Sequence, residues 1–223
     1  HRGGVAGARE ALGTVVVIDV LRAFTVSAYA LAGGAGECRL VGEVDEARAL
    51  ATRIPGAVIS AEVEGLPVEG IAISNSPTMV RDADLRGLTL VQRSSSGTQG
   101  AVAATHADHL FAGALAVAAA TARAIRATEP ELVTLVATGA DRGHPEDAAC
   151  AAYLEGLLAG SPPDLRELLA PLYASDRYRE LVSGCWPGFP ASDVALSLEA
   201  DRFDFAMPVG RDELSLRISA LPI

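Results

Sequence analysis

The run Thr14-Val15-Val16-Val17-Ile18-Asp19-Val20 is β-branched almost throughout and stops on an acid. A short continuous apolar run of this kind reads as a buried strand. Arg22 to Leu31 follows with an Ala-rich face and ends at Gly33-Gly34, which reads as a helix and its stop. The same alternation repeats outward along the chain. Cys38–Val41 reads as a strand, and Asp45–Ile54 as a helix with Asp45 as its N-cap and Pro55-Gly56 as its stop. Ala57–Glu62 is a strand that again ends on an acid. Glu64–Met79 reads as a loop rich in Gly, Pro, Ser and Asn. Leu88–Gln92 is a strand running into Arg93-Ser94-Ser95-Ser96-Gly97-Thr98, with a helix from about Thr98 to Thr105.

Leu110-Phe111 suggests a short strand before an Ala-rich helix, Ala116–Arg126. Leu132–Ala137 is a strong strand, and Pro145 opens a helix that runs to Leu158. Short helices are expected near Leu165–Leu169, Asp176–Val182 and Ser192–Leu198, with one or two late strands between Phe203 and Ile218. Strands alternating with helices predict an α/β fold, a three-layer α/β/α arrangement with a largely parallel or mixed sheet. The chain reads as a single α/β unit over 1–223, or as two packed halves meeting near 105–115. In parallel α/β sheets, ligands sit outside the carboxyl ends of the strands. The loops after the strands ending near Val20, Glu62, Gln92 and Ala137 are therefore expected to share one rim.

Composition narrows the chemistry. All 18 basic residues are arginine, and the net charge is −10. Without lysine there is no Schiff base and no Walker A lysine. Phosphatases that need a lysine beside an Asp-x-Asp motif are excluded too. Cysteine-dependent phosphatases carry an arginine six positions after the cysteine, where this chain has Val44, Gly156 and Ala191. The charge argues against a nucleic-acid partner, but arginines gathered locally suit a small anionic one. Three cysteines with no CxxC pair fit a reducing, cytoplasmic setting. No apolar run spans a membrane and no signal peptide is visible. The chain begins at His1, so a leader ahead of it stays open. An Ala-rich apolar surface is compatible with a homodimer.

Asp19 ends an apolar strand, where a lone carboxylate is costly without a partner. It suits a Mg2+ ligand or a nucleophile, or equally an N-cap or a partner for Arg22. The Arg22 fork matches phosphate or sulfonate geometry. Ser94 to Gly100 joins a strand to a helix with small side chains, which lets backbone N–H groups face an anion. Asn75-Ser76-Pro77 reads as an extended or turn segment. Glu146-Asp147 falls in a first helical turn, where acids are favoured by the dipole and also suit a metal ligand or general base. His106 and His109 have helical spacing but no third ligand near them, and His144 reads as a rim residue.

Together these segments resemble the 2-phosphosulfolactate phosphatase family. The resemblance is carried by Asp19-Val20-Leu21-Arg22-Ala23, by Glu62 with Gly65, Gly70 and Asn75-Ser76-Pro77, by Gly97-Thr98, and by Thr138-Gly139 with Glu146-Asp147. Arg179-Glu180-Leu181 and Asp193-Val194-Ala195 extend it toward the C-terminus. It implies Mg2+-dependent hydrolysis of a phosphate monoester of a small sulfonated or carboxylated hydroxy acid, of which 2-phosphosulfolactate in coenzyme M biosynthesis is the best-known example. By motif position it implies Asp19, Glu62 and Asp147 as acidic metal-site and catalytic residues. It implies Arg22, Asn75, Ser76, Ser96, Gly97 and Thr98 as substrate contacts. The chain departs from the family pattern at Val63, where arginine is usual, at Ser96 in place of asparagine, and at Val117 or a neighbour, again in place of asparagine. These departures keep a second reading open, a non-catalytic anion-binding relative with a degenerate site.

Overall fold

A computed structural model describes residues His1–Ile223. The run Thr14–Val20 supplies most of β2 (Gly13–Ile18), and its neighbours explain why Val15 to Ile18 are apolar without a break. The first sheet has the order β1 (Arg2–Gly3), β8 (Val133–Ala137), β2, β7 (Ala107–Gly113), and all its pairings are parallel. Val15 and Val17 point into one hydrophobic cluster with Phe24, Leu90 and Ile218. Val16 and Ile18 point into another with Ile125, Leu135 and Leu154. A strand alternates its side chains between faces, so a sheet covered on both sides needs an unbroken apolar run.

The second sheet runs β10 (Val209–Arg211), β11 (Leu216–Ile218), β3 (Glu37–Leu40), β6 (Thr89–Arg93), β4 (Val58–Val63), β5 (Leu66–Pro67). It is mixed: β3, β6 and β4 are parallel, while β5, β10 and β11 add antiparallel edges. A small pair, β12 (Leu221–Pro222) with β9 (Phe205–Ala206), completes the strands. The α/β class expected from the sequence is present, with its strands divided between two main sheets. Near-uniform apolar strands do not reveal which strand is whose neighbour. The chain crosses between the sheets repeatedly, so β3, β4 and β6 of the other sheet lie in sequence between β2 and its partners β7 and β8.

The helices are α1 (Gly4–Arg9), α2 (Ala23–Ala32), α3 (Val44–Arg53), α4 (Pro77–Asp82), α5 (Gly97–Ala103), α6 (Ala118–Ala127), α7 (Pro145–Ala159), α8 (Leu165–Leu168), α9 (Ala170–Tyr173), α10 (Asp176–Val182) and α11 (Ser192–Leu198). Helix α3 begins one turn-position earlier than expected. Its N-cap is Glu43 rather than Asp45, and Glu46 reaches back to accept from the N–H groups of Gly42 and Glu43. The segment expected as a loop, 64–79, contains β5 and the start of α4. Proline at the first helical position and Ser76 as N-cap, accepting from Met79 N–H at 3.2 Å, were the signals for that helix. The three cysteines are free, with Cys38 and Cys150 buried and Cys185 exposed. No helix is long and apolar enough to cross a membrane.

Candidate active site

The four strand ends singled out in the sequence converge. Asp19 follows β2 and Asp147 lies in the first turn of α7 after β8, both at the carboxyl edge of the first sheet. Glu62 ends β4 and Ser95-Ser96 follow β6, at the carboxyl edge of the second. Between them lies a cavity of about 250 Å3 lined by Asp19, Arg22, Glu62, Asn75, Ser96 and Asp147, among others.

Each carboxylate is held by backbone donors. Asp19 is 4% exposed, and accepts from Ala23 N–H at 3.2 Å and from Gly97 N–H at 2.7 Å. Burial, then the negative charges of Glu62 and Glu146, pushes its carboxyl up to about 6 against those hydrogen bonds. Gly97 has to be glycine for this contact, since a Cβ would come within 2.7 Å of Asp19 Oδ2. Asp147 Oδ1 accepts from Val20 N–H and its Oδ2 from Gly139 N–H, both at 2.8 Å. It therefore clamps the end of β2 to the loop after β8. Burial, and next Asp19 and Glu146, raises Asp147 well above the usual carboxylate range. Glu62 accepts from Ser95 N–H, from Ser95 Oγ at 3.1 Å and from Gly65 N–H at 2.5 Å. No group of three or more acidic, His or Cys side chains is arranged to hold a metal ion.

Positive charge comes from three sides. Arg22 is buried and donates through Nη1 to Asp193 Oδ2 and to Gly188 O, each at 2.8 Å. Its guanidinium carbon lies 3.9 Å from the centre of the Phe189 ring. Arg177 on α10 donates to Glu146 Oε1 at 2.9 Å, and Glu146 is fully buried with Oε2 unpartnered. Arg142 reaches across the mouth toward Glu64 at 3.5 Å. Burial, followed by the charges of Arg177 and Arg142, lowers His144 to about 4, so its ring is neutral in the cavity at pH 7.

Six of the nine sequence-derived site residues, Asp19, Glu62, Asp147, Arg22, Asn75 and Ser96, meet at the cavity. Asn75 Oδ1 accepts from Gln92 at 3.2 Å, which leaves its amide N–H2 for the cavity. Three do not line it. The Ser76 hydroxyl donates to Asp193 Oδ1 at 2.8 Å and caps α4. The Gly97 N–H is taken by Asp19. The Thr98 hydroxyl is fully buried, bonded to Ser94 O at 2.9 Å and to Ser94 N–H at 2.8 Å. Two of the departures also lie away from the cavity: Val117 is fully buried in the core and Val63 is exposed. Sequence reasoning missed Ser95, Arg177, Trp186 and Phe189. The last three come from the C-terminal helical segment, which carries no strand-end signal. Ser95 stood inside a recognised turn without anything to set it apart.

The family model described as 2-phosphosulpholactate phosphatase matches residues 5–180. Among curated proteins, the chain is 31% identical over 203 residues to the probable 2-phosphosulfolactate phosphatase of Bacillus subtilis, covering 88% of this chain and 87% of that one. It is 38% identical over 146 residues to the protein of the same name from Carboxydothermus hydrogenoformans, covering 65% and 60%. It is 35% identical over 127 residues to that of Deinococcus radiodurans, covering 56% and 53%.

Proposed function

The chain belongs to the 2-phosphosulfolactate phosphatase family, and from that membership and the cavity we propose how its residues divide the work. It is a phosphoric monoester hydrolase acting on 2-phosphosulfolactate, a small acid with anionic groups at both ends. The observation that supports the assignment of roles is the meeting of Arg22, Arg142 and Arg177 with Asp19 and Glu62 in one cavity at the carboxyl ends of two sheets. That local cluster offsets the net charge of −10 where the substrate binds.

Arg22 and the amide of Asn75 hold anionic oxygens, and Ser96 offers a hydroxyl in place of a longer amide. Arg142 and Arg177 neutralise the phosphate from the opposite side. Such a reaction asks mainly for positioning and charge neutralisation. Asp19 is the group placed either to attack phosphorus or to support a metal ion. Neutral His144, which lines the same cavity, can donate a ring N–H as a hydrogen bond to a substrate oxygen without carrying charge itself.

Mg2+ dependence is part of the proposal. Asp19, Glu62 and Asp147 are the candidate ligands, and each of them already accepts backbone N–H groups on both oxygens. Asp147 is in addition the clamp that joins the end of β2 to the loop after β8. Mg2+ commonly uses one or two carboxylates, water and substrate phosphate oxygens. One or two of these three carboxylates suit that set, since a carboxylate oxygen that accepts one N–H retains a second lone pair. When bound there, Mg2+ would offset charge on the phosphate oxygens. A cytoplasmic location, consistent with three free cysteines, belongs to the same proposal.

The test is phosphate release from 2-phosphosulfolactate and 2-phospholactate, with Mg2+ and with EDTA, alongside Asp19→Asn. Turnover that needs Mg2+ and is lost in the variant is the expected result. Tight anion binding without turnover on either substrate would instead favour a non-catalytic relative.

A further inference from the structure

The family model matches residues 5–180, and a heavily engaged side chain beside the cavity, Asp193 on α11, lies beyond them. It is fully buried. Its Oδ2 accepts from Arg22 Nη1 at 2.8 Å. Its Oδ1 accepts from the Ser76 hydroxyl at 2.8 Å and from Thr78 N–H at 3.0 Å. One carboxylate thus joins the arginine after β2 to the Asn75-Ser76-Pro77 segment. Gly188 O and the Phe189 ring, from the loop before α11, complete the seat of the guanidinium.

The consequence for Arg22 is geometric. Nη1 is occupied by Asp193 and Gly188, while Nε and Nη2 have no protein acceptor. That edge is a two-donor fork matched to the oxygens of a carboxylate, sulfonate or phosphate. A buried ion pair is weak grounds for stability, because apolar replacements commonly do as well. A pair that leaves half the guanidinium without a protein acceptor, on a residue that lines the cavity, calls for another role.

We propose that Asp193 is a positioning residue that orients Arg22, and through Ser76 and Thr78 the neighbouring Asn75, to receive the anionic group of the substrate. The C-terminal segment therefore completes a site whose other parts lie within residues 5–180. This rests on the reading of Arg22 as a substrate contact.

The experiment is a double-variant cycle with Asp193→Asn, Arg22→Gln and the pair, read in two ways. With 2-phosphosulfolactate, Asp193→Asn is expected to raise KM by about 10- to 100-fold with kcat changed much less. In the Arg22→Gln background, Asp193→Asn should add little to KM. A fall in kcat at unchanged KM, or effects that multiply in the pair, would show a structural role only and overturn the proposal. Inorganic phosphate binding by calorimetry is the second readout and needs no turnover. If wild type does not hydrolyse the substrate, the functional reading fails, while loss of phosphate affinity in Asp193→Asn but not in the Arg22→Gln background still supports positioning. Equal loss in both backgrounds overturns it. If Asp193→Asn does not fold, Asp193→Glu keeps the charge and displaces the carboxylate by one methylene, and the same cycle applies.

Discussion

Asp19 and His144 titrate in opposite directions, and each leaves its own mark on stability. The Asp19 carboxyl sits at about 6 in the fold against its ordinary 3.8. The native state therefore holds a proton that the unfolded state has released. Its contribution is complete below about pH 4 and is lost as pH rises through 6, on the order of 3 kcal/mol. His144 is held neutral, near 4 against 6.5. Its contribution is present above pH 6.5 and is lost as pH falls through 4. In EDTA the two slopes oppose each other between pH 7.5 and pH 5.5, and the larger displacement, that of His144, outweighs that of Asp19 there. Asp19→Asn is therefore expected to make the urea midpoint fall more on going from pH 7.5 to pH 5.5 than it does in wild type, both by removing its own titration and by relieving Asp147, which Asp19 also pushes up. An unchanged pH dependence in the variant would place the effect on another group. At this scale the sequence was informative about acids and poor about hydroxyls. Asp19, Glu62 and Asp147 stood out because carboxylates at apolar strand ends are conspicuous. Nothing in the order of Ser94, Ser95 and Ser96 told which hydroxyl caps, which binds Glu62 and which faces the cavity.

Among elements, the turns that begin α5 and α7 are set by close approach. A Cβ at Gly97 would lie 2.8 Å from Ala23 Cβ as well as against Asp19, and one at Gly139 would lie 2.6 Å from His144 Cβ and 2.9 Å from Asp147 Oδ2. Gly97→Ala and Gly139→Ala are each expected to lower stability by about 1–3 kcal/mol. They should also reduce kcat/KM by roughly 10²-fold, because the displaced atoms belong to the carboxylates. Glu46→Ala provides the contrast. It removes the reach-back cap of α3, far from the cavity, and should cost about 1 kcal/mol with kcat/KM unchanged. Thermal melts and steady-state kinetics on the three proteins check both statements; unaltered kinetics in the glycine variants would mean that the turns give way freely. Strands and helices of ordinary length were legible because periodicity and stop signals agreed. Helix α4 was not, since Gly, Pro, Ser and Asn around 64–79 outweighed the Ser-Pro start. The late strands β9 to β12 are two or three residues each, too short for any alternation to register.

For the molecule as a whole, the C-terminal forty residues are structural. Strand β11 pairs with β3 and buries Leu216 and Ile218 in the cluster that also contains Val15 and Leu90. A chain ended after Arg179 or Glu180, where the family match stops, is expected to lose cooperative urea unfolding as well as phosphate binding. Retention of a sharp transition would show that the remaining sheets suffice. The sequence made the α/β class legible through alternation alone, but the division into two sheets depends on pairings between distant strands, which local pattern does not encode. That interleaving has a consequence during synthesis. On the ribosome, Val15 to Ile18 emerge early, yet both edges of their strand stay bare until Ala107 and then Val133 have followed. For much of its translation the nascent chain carries a β-branched segment with no partner, a template for pairing with other chains. High contact order makes the later closure slow, so yield in the cell should depend on holdase chaperones and on translation speed more than the finished protein's stability would suggest.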